Sequence, residues 1–128
     1  VSTYHPLLDG PITVIVSPPQ HPKVSKGGPY AADIATHPGE PIYAPAKGKI
    51  PHAYDDVLDG GVKGGVMFSF DVEVPKGTKP VRFFFAHVDR ASRDRAKVEA
   101  GDPIGHATGA FLHVGGSSAA ELDKLLSA

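Results

Sequence analysis

The chain has 128 residues, enough for one domain with a modest core. Thirteen basic and 14 acidic residues leave a net charge of −1. That balance gives no electrostatic footprint for a polyanion, and no basic stripe with interleaved aromatics marks a nucleic-acid surface. There is no cysteine, so disulfides, Cys-based zinc sites and thiol nucleophiles are excluded. No apolar run approaches the ~20 residues of a membrane-spanning helix.

Fifteen glycines and 13 prolines are spread along the chain, a distribution that suits many short strands joined by turns. The chain opens on Val1 rather than methionine and shows no signal peptide. The expectation is a single domain over 1–128, cut from a longer polypeptide.

Residues 11–16 are apolar and β-branched, a strand signal. Residues 17–22 and 26–29, rich in Pro and Gly, are predicted loops. A strand follows over Tyr30–Ala35. Residues 41–50 predict strand, break, strand. Residues 54–64 are acidic and glycine-rich and predict an exposed hairpin connection rather than a calcium site, since the spacing and terminal glutamate of an EF-hand loop are missing. Val66–Val74 alternates, with Val66, Phe68, Phe70, Val72 and Val74 on one side. A turn over 75–80 leads to the partner strand Val81–Val88, whose Phe83-Phe84-Phe85 run predicts a central strand buried on both faces. Residues 91–98 predict a polar loop or helical turn, and Gly101-Asp102-Pro103 a turn before a strand through His106. The last segment is the one predicted helix. Ser118 caps it, Glu121 stands three residues on as in a capping box, and Leu122, Leu125 and Leu126 share a face. The fold class is therefore mainly antiparallel β with a short C-terminal helix.

Taken singly, Asp33, His87 and His113 carry little. An aspartate beside a strand is usually a turn or cap residue, and a histidine on an apolar strand is usually a satisfied core residue. Their order and surroundings carry more. Pro29-Tyr30-Ala31-Ala32-Asp33-Ile34-Ala35 has the frame of His-x-x-x-Asp-Ile-Ala with proline in the first place. Gly39-Glu40-Pro41-Ile42-Tyr43-Ala44-Pro45-Ala46-Lys47-Gly48-Lys49-Ile50 follows. Then come Phe85-Ala86-His87-Val88, Gly101-Asp102-Pro103-Ile104-Gly105, Thr108-Gly109 and finally Phe111-Leu112-His113, a His-x-His frame with phenylalanine first.

Over residues 27–115 this series resembles the lysostaphin-like zinc endopeptidases, which cut peptide cross-bridges in bacterial cell walls. The resemblance implies the antiparallel β-sheet of that family, the duplicated hybrid motif type. It implies that Asp33 and His113 stand at two zinc-ligand positions, with Pro29 at the third. It also implies that His87 stands at one catalytic-histidine position and Phe111 at the other. The segment between Thr108-Gly109 and Phe111 is shorter than the family's usual one.

A catalytic zinc needs three protein ligands and an open position for water. Proline and phenylalanine offer no side-chain donor, so the expectation is a degenerate site with no cofactor. Asp33 and His113 are then an incomplete metal-site remnant and His87 a catalytic remnant. The functional expectation is an inactive peptidase-like domain serving as a binding or structural module. Its partner would be a peptidoglycan peptide or neighbouring subunits of a phage-tail or cell-envelope assembly, in an extracellular, cell-envelope or virion location. The alternative is a zinc endopeptidase with a rearranged site, taking its third ligand from His106; His37, four residues after Asp33, reverses the family order. A purely architectural domain is the third possibility. His5, His21 and His52 sit in polar or loop-like contexts and are expected to be exposed.

Overall fold

The computed structural model describes residues 3–16, 30–57, 63–89 and 97–128. Within them lie eight strands and a helix: β1 (Val14–Val16), β2 (Tyr30–Ala35), β3 (Pro41–Tyr43), β4 (Gly48–Val57), β5 (Lys63–Val72), β6 (Arg82–Asp89), β7 (Pro103–Ala107), β8 (Phe111–Gly116) and α1 (Ala119–Leu126). They form one antiparallel sheet in the order β1-β2-β8-β6-β5-β4, with β7 paired to β6 and β3 paired to β7. The architecture is mainly antiparallel β with one short C-terminal helix.

The apolar alternation explains where the core sits. Phe68 and Phe70 on β5 lie opposite Phe85 and Phe83 on β6, and Phe85 lies opposite Val114 on β8. These residues are fully buried, with Ile34 and Leu112 beside them. Burying each such side chain contributes ~1.5–3 kcal/mol before entropy is counted. The two faces of β6 are both closed, since Phe84 and Ala86 are buried as well as Phe83 and Phe85. The Phe run is thus the central strand that its composition predicts.

Two groups close the core from one side. Helix α1 lays Leu122 and Leu125 into it. Ser118 Oγ accepts from the Glu121 N–H at 3.3 Å, half of the expected capping box. The Glu121 carboxylate turns instead to the Tyr4 hydroxyl and to Lys124 Nζ. The second group is residues 4–8. Tyr4, Leu7 and Leu8 are buried, and the Tyr4 ring meets Phe83 edge-on at 5.4 Å. The His5 N–H donates to the Pro45 carbonyl, and the Leu7 carbonyl accepts from the Tyr43 N–H.

Some boundaries depart from expectation. Regular strand structure in the first apolar run is confined to Val14–Val16, and β5 ends at Val72. The exposed connection expected over 54–64 is corrected: β4 runs on to Val57 and β5 starts at Lys63, with Asp55 opposite Val66 and Asp56 opposite Gly65. A long ladder with a neighbour outweighs the weak strand preference of aspartate. The loops expected over 17–22 and 26–29, and most of the 91–98 segment, lie outside the described residues.

Candidate functional site

Side chains on a strand alternate between faces, and directly opposed residues share a face. Asp33 on β2 is opposite His113 on β8, and Ala35 is opposite Phe111. On β6, Ala86 is opposite His113. Ile34, Leu112 and Val114 point into the core, so Asp33, Phe111, His113 and Ala86 stand on the other face of the same strands. Tyr4 packs against Phe83 on the core side, and Leu122 and Leu125 of α1 join the same core.

The pair at its centre is close. His113 Nδ1 lies 3.2 Å from Asp33 Oδ1, an arrangement in which a ring N–H donates to the carboxylate. The side chains are 9% and 18% exposed, so both are largely withdrawn from water. The Phe84 ring meets the His113 ring edge-on at 6.4 Å. An aspartate that orients an imidazole is a recurring device for general-base work. Here the other ring nitrogen, His113 Nε2, is closed to solvent.

His87 reaches this face by an irregularity. Between Val66 and Phe68 on β5, β6 runs from Val88 to Phe85, so β6 carries one extra residue. That is a β-bulge. His87 lies in it with φ 66°, the only positive φ outside glycine among the described residues. Such a conformation in a non-glycine residue costs ~1–3 kcal/mol and persists only where neighbours hold it. Thr108 does so: its N–H and its hydroxyl both donate to the His87 carbonyl, at 3.0 and 3.1 Å. Regular alternation would put His87 on the core side with Phe85. The bulge instead brings its ring to Phe111, edge-on, with centroids 4.9 Å apart. The bulge is also where one edge of β6 changes partner, from β8 at Ala86 to β7 at Val88.

Asp33, His113, His87 and Phe111 are therefore gathered on one face. Pro29 lies outside the described residues. His106 is exposed on β7, opposite Pro41 and Asp89, and His37 is exposed and paired with Glu40 at 3.2 Å. His5 is exposed, as expected. His21 and the His52 side chain lie outside the described residues.

Among the described residues, the donors gathered on this face are too few for zinc, which the sequence resemblance implies. Asp33 and His113 offer two ligands where three are needed, and Phe111 fills the adjacent outward position of β8 with a hydrocarbon ring. Among the described residues no group of three or more His, Asp or Glu is placed to hold a metal ion. Also among them, no helix is long and apolar enough to cross a membrane.

Sequence reasoning missed the positioning role of Thr108 and of Gly65. A Cβ at Gly65 would fall 2.6 Å from the Val88 carbonyl oxygen and 2.8 Å from Thr108 Cγ2. The available signal is Gly65 itself, since a glycine within a strand marks a bulge or a close backbone approach.

No protein-family model and no curated protein matches the chain. Solved structures do. One is a Pseudomonas aeruginosa protein whose M23 peptidase assignment is provisional: TM-score 0.53, 22% identity, covering 89% of this chain and 44% of that one. The fold is M23-peptidase-like. Helicobacter pylori Csd3 is a looser likeness, with TM-score 0.48, 19% identity, 88% of this chain and 32% of that one. The M23-like domain thus spans less than half the length of either. The lysostaphin-like motif series and the structural likeness point to the same fold.

Proposed function

We propose that this M23-like domain is a catalytically inactive binding module that receives an extended peptide, of the cell-wall type, on the Asp33–His113 face in the cell envelope. The observation that carries the reading is the state of the four gathered residues. Asp33 and His113 engage each other at 3.2 Å, and the neighbouring position on the same face of β8 is Phe111, which meets the His87 ring edge-on. Without a bound metal, water keeps a pKa far above neutral and the scissile carbonyl is not polarised. Loss of a general base removes a further factor of about 10²–10⁴. The sheet forms the core without any help from an ion, so the face outlasts the loss of the chemistry. Phe111, 40% exposed, offers apolar surface to a ligand.

The test is metal analysis of the purified chain, paired with assays of cell-wall peptide binding and cleavage. Peptide binding with no cleavage and no retained zinc supports the reading. Near-stoichiometric zinc, or cleavage lost on Asp33→Ala, would replace it with the zinc endopeptidase, and His106→Ala would then test the third ligand. The double variant Pro29→His with Phe111→His tests the ancestry of the site. Recovered zinc binding supports a lapsed metallopeptidase, while its failure means the backbone has drifted from the ligand geometry.

A further inference from the structure

Several independent observations meet on one backbone unit beside the dyad. His87 holds a left-handed φ of 66° inside the β6 bulge. Its carbonyl receives two hydrogen bonds from Thr108. Gly65 supplies the space in which Val88 and Thr108 close over the bulge, where any Cβ would collide with both. Thr36 fastens the turn that carries Thr108: its hydroxyl donates to the Gly109 carbonyl at 2.8 Å and its N–H to the Ala110 carbonyl at 3.0 Å. The product of this bracing is a histidine ring turned away from the core and set edge-on against Phe111. Thr108 itself is exposed, so its contribution lies in the two bonds rather than in packing.

We propose that Thr108 is the positioning residue that sets the His87 imidazole on the Asp33–His113 face, where a ring N–H donates to a backbone carbonyl of an extended peptide while Phe111 takes one of its apolar side chains. The ligand half of this inference rests on the peptide-binding reading above. The positioning half rests on the geometry of the chain alone. A strand-like ligand presents carbonyls and alternating side chains together, which matches a hydrogen-bond donor standing next to an exposed aromatic ring. In this role His87 needs no metal and no proton transfer, so the site keeps a use for a histidine after the ligand set has been broken.

The test compares Thr108→Val with Thr108→Ser in the full chain. Valine keeps the shape and the N–H bond but removes the hydroxyl; serine restores the hydroxyl. The first readout is the proton NOE between the His87 and Phe111 rings, with the ring-current shift of the His87 signals. The second is affinity for one blocked peptide, acetyl-Ala-Gly-Leu-Gly-Ala-amide. Thr108→Val is expected to weaken the NOE and move the His87 signals, and Thr108→Ser to retain both. Affinity should fall about two- to tenfold in Thr108→Val, the scale of one lost hydrogen bond, and at least as far in His87→Ala. An unchanged NOE in Thr108→Val, or equal loss in Thr108→Ser, overturns the positioning role. A wild-type chain that binds no peptide, with the NOE behaving as expected, upholds the positioning and overturns the peptide reading. A mere loss of thermal stability would leave the ring contact in place.

Discussion

The two faces of β6 and β8 are built from neighbouring residues and solve opposite problems. On the core face, Phe83, Phe85, Leu112 and Val114 alternate regularly and are buried against apolar partners. On the other face, one residue away along each strand, stand a histidine bonded to an aspartate and a second histidine in a strained bulge. The first arrangement follows from hydrophobic burial. The second has no such source, since a buried polar pair roughly breaks even against an apolar one. A face that keeps costly features without a stability return is where function is sought.

Substitutions on the two faces should separate these roles, all read as unfolding free energies from denaturant titration. Phe85→Ala opens the core and should cost about 3–5 kcal/mol. Asp33→Ala removes the carboxylate that His113 Nδ1 meets in a buried setting and should cost about 1–3 kcal/mol, while Asp33→Ala with His113→Leu should recover most of that loss. A double variant no better than the single would mean the pair is structural. At the bulge, His87→Gly should be more stable than His87→Ala by about 1 kcal/mol, because only glycine adopts a left-handed φ without penalty. Equal stabilities would mean that the bulge relaxes in solution.

The smallest effect lies where α1 meets residues 4–8. Burial favours the neutral form of Tyr4, and the Glu121 carboxylate beside it strengthens that preference, so its hydroxyl stays protonated far into the alkaline range. For Glu121, burial pushes the carboxyl upward, but the Tyr4 hydroxyl and Lys124 outweigh it and hold the group below its ordinary value of 4.5. A depressed carboxylate stabilises the fold above that ordinary value, and the contribution fades as the pH falls through the folded-state value. Glu121→Gln should remove this acid-side slope. Tyr4→Phe should cost about 0.5–1.5 kcal/mol at neutral pH. A stability curve for Glu121→Gln that parallels the wild type in acid would show that the carboxylate titrates normally.

Much of this was legible in the sequence because it depends on period and order. The alternation of Val66–Val72 set the core face of β5, the triple phenylalanine marked the central strand, and Ser118 with the leucines marked α1. The adjacency of Asp33 and His113 followed from the order of the family-like motifs. Other features turn on contacts that local pattern does not encode. The bulge at His87 arises where β6 exchanges β8 for β7, and a histidine at a position that alternation assigns to the core is the only local trace of it. The reciprocal arm of the capping box went to Tyr4, 117 positions earlier in the chain. Tyr4, Leu7 and Leu8 show neither strand nor helix period, since Pro6, Gly10 and Pro11 interrupt them, although a cluster of large apolar residues is itself a sign of burial.

Asp33 and His113 are 80 positions apart in the chain, whereas β5 meets β4 and β6 as simple hairpins. Drawing together distant segments carries the larger loop-closure penalty, and non-local pairings form late. The expected folding order is hairpins first and the β2–β8 seam last. The dyad is thus a completion mark: pulse-labelled hydrogen exchange should find the β2 and β8 amides protected only after those of β5 and β6. An intermediate stalled before that step would hold the aromatic ladder yet lack the Asp33–His113 face.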